Sequence, residues 1–172
     1  EHKGVLEQKL GNLSVNAAAQ LLRDAGVKGK DSELQVVAQE YRGHAYSLAL
    51  LASYLKSYAQ SDIQRRDTLP PLMDDVTEAN WHGQRIMMTY AEALKGSPKL
   101  SLLYLVSVFD QSIERDVLEE LMWAIAKGYQ TQARTQHFSA LLDGKKWRTY
   151  SSELHKQGLL VSGNTEVLEM HP

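Results

Sequence analysis

The chain has 172 residues, 43% of them hydrophobic and 23% charged, with a formal net charge of −2 and no cysteine. This is the balance of a globular protein with room for one large or two small domains. It excludes disulfides and thiolate chemistry, removes the best zinc ligands, and offers no global cationic field to nucleic acid or an anionic membrane.

In chain order, Ser14 is placed to cap a helix that runs to Asp24-Ala25 and stops at Gly26, with Val15, Ala18, Leu21, Leu22 and Ala25 as its apolar stripe. Ser32-Glu33-Leu34-Gln35 reads as a capping box, with Gln35 reaching back to the Ser32 amide. Leu34, Val37, Ala38 and Tyr41 follow at helical spacing until Gly43 interrupts. A third, largely buried helix is predicted from about Ala45 to Ala59, with Leu48, Leu51, Ala52, Leu55 and Tyr58 on one face and Leu50 and Tyr54 widening it.

Residues 61–83 read as a linker, polar at Ser61-Asp62 and Arg65-Arg66-Asp67 and barred from helix at Pro70-Pro71, with room for one helical piece around 72–79. Met87, Tyr90, Ala91 and Leu94 stripe another helix, ended by Gly96-Ser97-Pro98. Leu100–Phe109 is apolar nearly all round and is expected to be a central helix. The longest apolar run, around Leu102–Phe109 and broken by Ser107, is far short of the ~20 residues that span a bilayer. Val117, Leu118, Leu121, Met122 and Ile125 mark a helix from near Glu114, and Gly128–Gln136 reads as loop. Phe138, Leu141 and Leu142 form a short helix ended by Gly144, and Trp147, Tyr150 and Leu154 share one face of a helix ended by Gly158. Leu159–Ser162 and Val167–Met170 read as a hairpin around Gly163-Asn164. Three helices and a hairpin is the order of a winged helix. The expected fold is therefore mainly α: a helical bundle over residues 1–60, the linker over 61–83, and a winged-helix domain over 84–172 with a small C-terminal β-hairpin.

Leu13-Ser14, a helix, and then Glu40-Tyr41-Arg42-Gly43-His44-Ala45-Tyr46-Ser47-Leu48-Ala49-Leu50-Leu51 resemble the helical domain of NB-ARC/STAND signal-transduction ATPases. That family places a Gly-x-Pro-Leu-Ala-Leu motif at the start of such a helix; the matching positions are Gly43, Ala45, Tyr46, Ser47 and Leu48. The second half resembles the family's winged helix from Pro98 through Leu102, Phe109 and Leu118 to Gly158-Leu159-Leu160, ending at Met170-His171-Pro172 where the family has Met-His-Asp. Ala45 stands in place of the motif proline and Pro172 in place of the aspartate. No Gly-x-x-x-x-Gly-Lys-Ser/Thr loop occurs, so phosphate and magnesium binding would reside elsewhere. Glu1-His2-Lys3-Gly4 carries no initiator Met and no signal peptide, and both ends read as cuts inside a longer, cytoplasmic protein.

The resemblance implies a regulatory segment that holds the ADP-bound resting state of a nucleotide switch. The full-length protein would bind ADP or ATP with Mg, act as an ATPase, and oligomerise on activation. The segment itself would bind no cofactor or metal and catalyse nothing, and its partner would be the protein's own nucleotide-binding domain. His171 would contact a phosphate, and Gly43 and Ala45 would face the adenine. A histidine–phosphate contact is charge-assisted and worth roughly 1.5–3 kcal/mol. That biases a closed state without binding nucleotide unaided.

The residues themselves leave two other classes open. As a winged-helix DNA-binding module, the helix near Trp147–Gln157 would offer Lys145, Lys146, Arg148 and Lys156, but Asp143 and Glu153 interrupt these bases and the wing has no Lys or Arg. As a protein-interaction module, the linker or the Gly128–Gln136 loop would carry the partner site. An independent enzyme is opposed by the histidine spacing, which fits no metal motif, and by the lack of a Gly-x-Ser-x-Gly elbow.

Overall fold

A computed structural model describes residues 11–68, 81–109, 111–128, 136–161 and 167–170. The protein is mainly helical, with a small antiparallel sheet, and divides into two compact units, Glu1–Asp67 and Thr68–Pro172.

The first unit holds α1 (Val15–Asp24), α2 (Asp31–Glu40), α3 (Ala45–Tyr58) and a short 3-10 helix (Ile63–Thr68). Ser14 caps α1 as expected, its Oγ accepting the Ala17 N–H at 3.3 Å. Ala18, Ala19 and Leu22 are buried, and α2 and α3 both pack on α1. The chain leaves α1 through Gly26 at φ +88°, with the Val27 N–H donating to the Leu22 carbonyl at 3.0 Å, and Val27 itself is buried. This Schellman closure is the one Gly26 signalled.

The capping box at Ser32 and Gln35 does not form. α2 starts at Asp31, and the Glu33 carboxylate accepts the Lys30 N–H at 2.7 Å. Asp31 and Glu33 thereby put negative charge in the first turn, where the helix dipole favours it. Gln35 instead donates to Asn16 Oδ1 at 3.4 Å. Leu34, Val37, Ala38 and Tyr41 are buried at the predicted spacing. In α3, Leu48, Leu50, Leu51, Ala52 and Leu55 are buried. Tyr58, assigned to the same face, is exposed: the helix outruns the core, and Tyr58 pairs with Tyr54 at a ring separation of 5.2 Å.

The segment read as linker carries structure at both ends. Lys28 and Asp62 form a parallel bridge, with the Lys28 N–H donating to the Ser61 carbonyl at 2.7 Å. Ile63 is fully buried against Gly29, where a Cβ would collide with its side chain. Gln64 donates to Glu33 Oε1 at 2.9 Å, so one carboxylate both caps α2 and ties down the 3-10 helix. Trp81 already begins α4 (Trp81–Ala93). Pro70-Pro71 and the helical piece expected at 72–79 lie outside the described residues.

In the second unit the buried stripe of α4 is Ile86, Thr89, Tyr90 and Leu94. It is turned by about one residue from the predicted one, leaving Met87 and Ala91 half-buried. Ser97-Pro98, read as a stop, starts α5 (Pro98–Ser107): Ser97 Oγ accepts the Lys99 N–H at 3.2 Å and Pro98 takes the first helical position. Leu102, Leu103 and Val106 are buried against α7, α8 and the sheet, while Tyr104 and Val108 are exposed. α5 is thus central on one face only.

A two-residue strand β1 (Ile113–Glu114), which the sequence reading missed, precedes α6 (Arg115–Gly128). Leu118 and Met122 are the buried residues of α6; Val117 of the predicted stripe is exposed. α7 (Gln136–Leu142) buries Leu141, and Gly144 and Lys145, both left-handed, turn the chain into α8 (Lys146–Lys156). Trp147, Ser151 and Leu154 are buried and Tyr150 half-buried. Gly158 (φ +76°) closes α8, with Leu159 N–H donating to Leu154 O at 3.0 Å. β2 (Leu160–Val161) and β3 (Val167–Met170) pair antiparallel, Leu160 opposite Met170. β1 pairs with the other edge of β3, Ile113 opposite Leu168, giving the order β1-β3-β2. The predicted hairpin turn at Gly163-Asn164 lies outside the described residues.

Two predictions follow from the packing. Trp147→Ala removes a fully buried indole and is expected to destabilise the second unit by about 3–5 kcal/mol; urea unfolding read at amides of residues 98–160 would contradict this with a loss under about 1 kcal/mol. The Glu33 carboxyl is held below its ordinary value of 4.5 by the Lys30 N–H and then by the Gln64 amide. Its contribution to stability is therefore complete above pH 4.5 and lost as pH falls through the depressed folded-state value. Carboxyl NMR titration of Glu33 should show a midpoint below 4.5, and Glu33→Gln should flatten the acid limb of the unfolding curve of residues 11–68.

Candidate functional site

The candidate residues that the structure describes lie at the turn between α2 and α3. After Tyr41 the chain takes two successive left-handed residues, Arg42 at φ +49° and Gly43 at φ +68°. Both amides are used to close α2: the Arg42 N–H donates to Gln39 O and the Gly43 N–H to Ala38 O, each at 2.9 Å. The Gly43 carbonyl accepts the Leu13 N–H at 2.9 Å, and the Leu13 carbonyl lies against the Gly43 Cα where a side chain would start. Gly43 is buried, so neither its conformation nor its surroundings leave space for a Cβ.

His44 follows as the N-cap of α3, its Nδ1 accepting the Ser47 N–H at 3.2 Å and lying 2.9 Å from Ser47 Oγ. The sequence reading weighed His44 only as a metal partner of Glu40 and missed this cap. Ser47, three positions on, was the available signal, since an N-cap acceptor bonds the amide at that offset. Glu40 instead pairs with Arg66 at 3.4 Å. Ala45, the first residue of α3, is exposed. Tyr46 is half-buried, and burial pushes its phenol above the usual tyrosine range, which keeps the hydroxyl a proton donor. Gly43 and Ala45 thus flank one turn whose buried side is backbone and whose open side is the start of a 14-residue helix. His171 and Pro172 lie outside the described residues.

The face proposed for DNA is largely matched by acids. Lys146 pairs with Asp143 at 2.8 Å, Arg148 with Glu119 at 3.5 Å, Lys145 with Glu119 at 3.9 Å, and Glu153 with Lys99. Asp143 is held below and Lys146 above its ordinary value by their mutual hydrogen bond. Trp147 and Leu154 face the core, so they cannot read bases.

A second serine–histidine contact, Ser101 Oγ to His137 Nδ1 at 3.0 Å, ties α5 to α7. Among the described residues no carboxylate is recorded on either imidazole to orient it for base catalysis, and no group of three His, Asp or Glu could hold a metal ion. Among the same residues no helix is long and apolar enough to cross a membrane. No protein-family profile, curated protein or solved structure matches this chain.

Gly43→Ala separates the two constraints on this turn when compared with Gly26→Ala. Gly26 is also left-handed but has nothing within 4 Å of an added Cβ, so its change should cost only the conformational term, about 1–2 kcal/mol. Gly43→Ala should cost clearly more, because the Leu13 carbonyl must also move. Equal losses of thermal stability in the two variants would show the close approach to be relieved freely.

Proposed function

We propose that this chain is the regulatory helical and winged-helix segment of a STAND-type (NB-ARC-like) nucleotide switch. In this reading the Gly43–Ala45 turn faces the adenine of ADP, and His171 contacts its phosphate. The P-loop and magnesium would belong to a separate nucleotide-binding domain of a longer protein. The observation that carries the reading is the Gly43 turn. Backbone crowding by Leu13 excludes a side chain there, and the same turn opens α3 at an exposed Ala45. Glycine at such a position lets a ligand or another segment approach main chain rather than side chain.

The second unit supports the reading through topology. The helices α5, α6 and α8 with a small antiparallel sheet in the order β1-β3-β2 are what supports it, with α4 and α7 as additional helices. The DNA-binding alternative draws no comparable support, because Lys145, Lys146 and Arg148 face the carboxylates of Glu119 and Asp143.

Calorimetry should find no ADP or ATP affinity for this chain tighter than about 1 mM, a binding free energy near −4 kcal/mol. Low-micromolar affinity would overturn the assignment of the phosphate site to another domain. In the longer protein, His171→Ala should speed ADP release about ten- to a hundredfold, the range set by one charge-assisted hydrogen bond. Unchanged ADP retention together with unchanged basal activity would remove His171 from the mechanism.

A further inference from the structure

We infer that His44 is a proton-sensitive cap: uptake of a proton by its imidazole releases the first turn of α3. The inference does not depend on the nucleotide-switch reading.

It starts from the direction of one hydrogen bond. A backbone N–H can only donate, and the Ser47 N–H donates to His44 Nδ1 at 3.2 Å. Nδ1 must therefore keep its lone pair, which fixes the neutral ring as the Nε2–H tautomer. With Nδ1 an acceptor, the Ser47 hydroxyl, 2.9 Å away, can meet it only as a donor. An imidazolium carries a hydrogen on both nitrogens. Its Nδ1–H would point at the Ser47 N–H, so the ring must turn away. The new charge would also stand at the amino end of a 14-residue helix, where the dipole favours anions.

The surroundings offer the amide no substitute. Ser47 is 2% exposed, and among the described residues its N–H has no other acceptor. A buried donor that loses its partner is costly, so the first turn must open for water to replace the cap. His44 itself is exposed, so the proton has free access. The backbone stays in place as the ring leaves, because the Gly43 carbonyl is held by the Leu13 N–H at 2.9 Å.

The neighbouring charges do not hold an imidazolium. Glu40 and Arg42 stand at the end of α2, Arg66 on the 3-10 helix and Tyr46 on α3, while Gly11–Ser14 is uncharged. Glu40 is paired with Arg66 at 3.4 Å, and among the described residues no carboxylate pairs with the His44 ring. His44 is the only histidine among residues 11–68. Glu33, whose carboxyl is held below its ordinary 4.5, stays ionised throughout the range in which an imidazole gains its charge, about pH 8 to 5.5. A change at the α2–α3 turn over that range therefore isolates His44.

The test is amide exchange of the whole chain, followed by ¹⁵N NMR at pH 8 and pH 5.5. It is expressed as protection relative to the unfolded chain, so that the intrinsic pH dependence of exchange cancels. Ring ¹⁵N shifts should report the Nε2–H tautomer of His44 at pH 8. Ser47 protection is expected to fall about five- to tenfold at pH 5.5, the loss of an N-cap with a cation left in its place, while Leu22 of α1 keeps its own. His44→Asn, which caps without titrating, should hold Ser47 protection equal at the two pH values, and His44→Ala should show the lower value at both. Three outcomes would overturn the inference: an Nδ1–H tautomer at pH 8, Ser47 protection unchanged between the two pH values, or a His44→Asn variant with the wild-type pH dependence.

Discussion

The contact between the Leu13 carbonyl and the Gly43 Cα sets the layout of the first unit. It brings the residues entering α1 onto the α2–α3 turn, and the return hydrogen bond from Leu13 N–H to the Gly43 carbonyl locks that placement. With the turn fixed, His44 falls where its Nδ1 can cap α3, and α3 starts in the phase that points Leu48, Leu51 and Leu55 into the core. A shift of one residue in that start would rotate α3 by about 100° and replace leucine with Ala49 and Lys56 on the inner face.

Sequence periodicity read the helices well where one face is buried and the stop is a left-handed glycine. α1 with Gly26 and α8 with Gly158 both end in Schellman closures whose buried following residue is also visible in the sequence. The reading placed the helix ends at Gly43 and Gly144 but gave no sign of the left-handed Arg42 and Lys145 beside them, because no residue type announces those. It failed where two capping solutions compete. Ser32 is the better N-cap by type, yet Glu33 can serve Lys30 and Gln64 together, and that non-local partner decides the register. β1 was invisible because two residues have no period; only pairing with β3 makes Ile113–Glu114 a strand. Of the candidate site, Gly43 was legible because glycine before an apolar helix signals a special backbone position. The reason it must be glycine was not, since Leu13 is distant in sequence.

Electrostatics in the second unit is local. Lysines and arginines of α8 that look like a basic stripe are interleaved in space with Glu119 of α6 and Asp143 at its own entry. Counting charges along the chain therefore overstates the field that this helix presents. α5 is the opposite case: after Lys99 it carries no charge, and it packs on α7, α8 and β3 through one face. Its other face shows Tyr104 and Val108 to the exterior, so an apolar composition all round did not mean burial all round.

The strand order has a consequence for how the protein is made. Among the described residues β3 is the last strand but the middle one in the sheet, and neither β1 nor β2 has another strand to pair with. Ile113 must therefore remain without its partner until Leu168 has left the ribosome, and closing so long a loop is slow compared with forming helices. The first unit draws its contacts from residues already synthesised, so it is free to fold while the second is still incomplete. During that interval α5 can be covered by α7 and α8, and only the part of its apolar side that packs on β3 waits for the end of the chain.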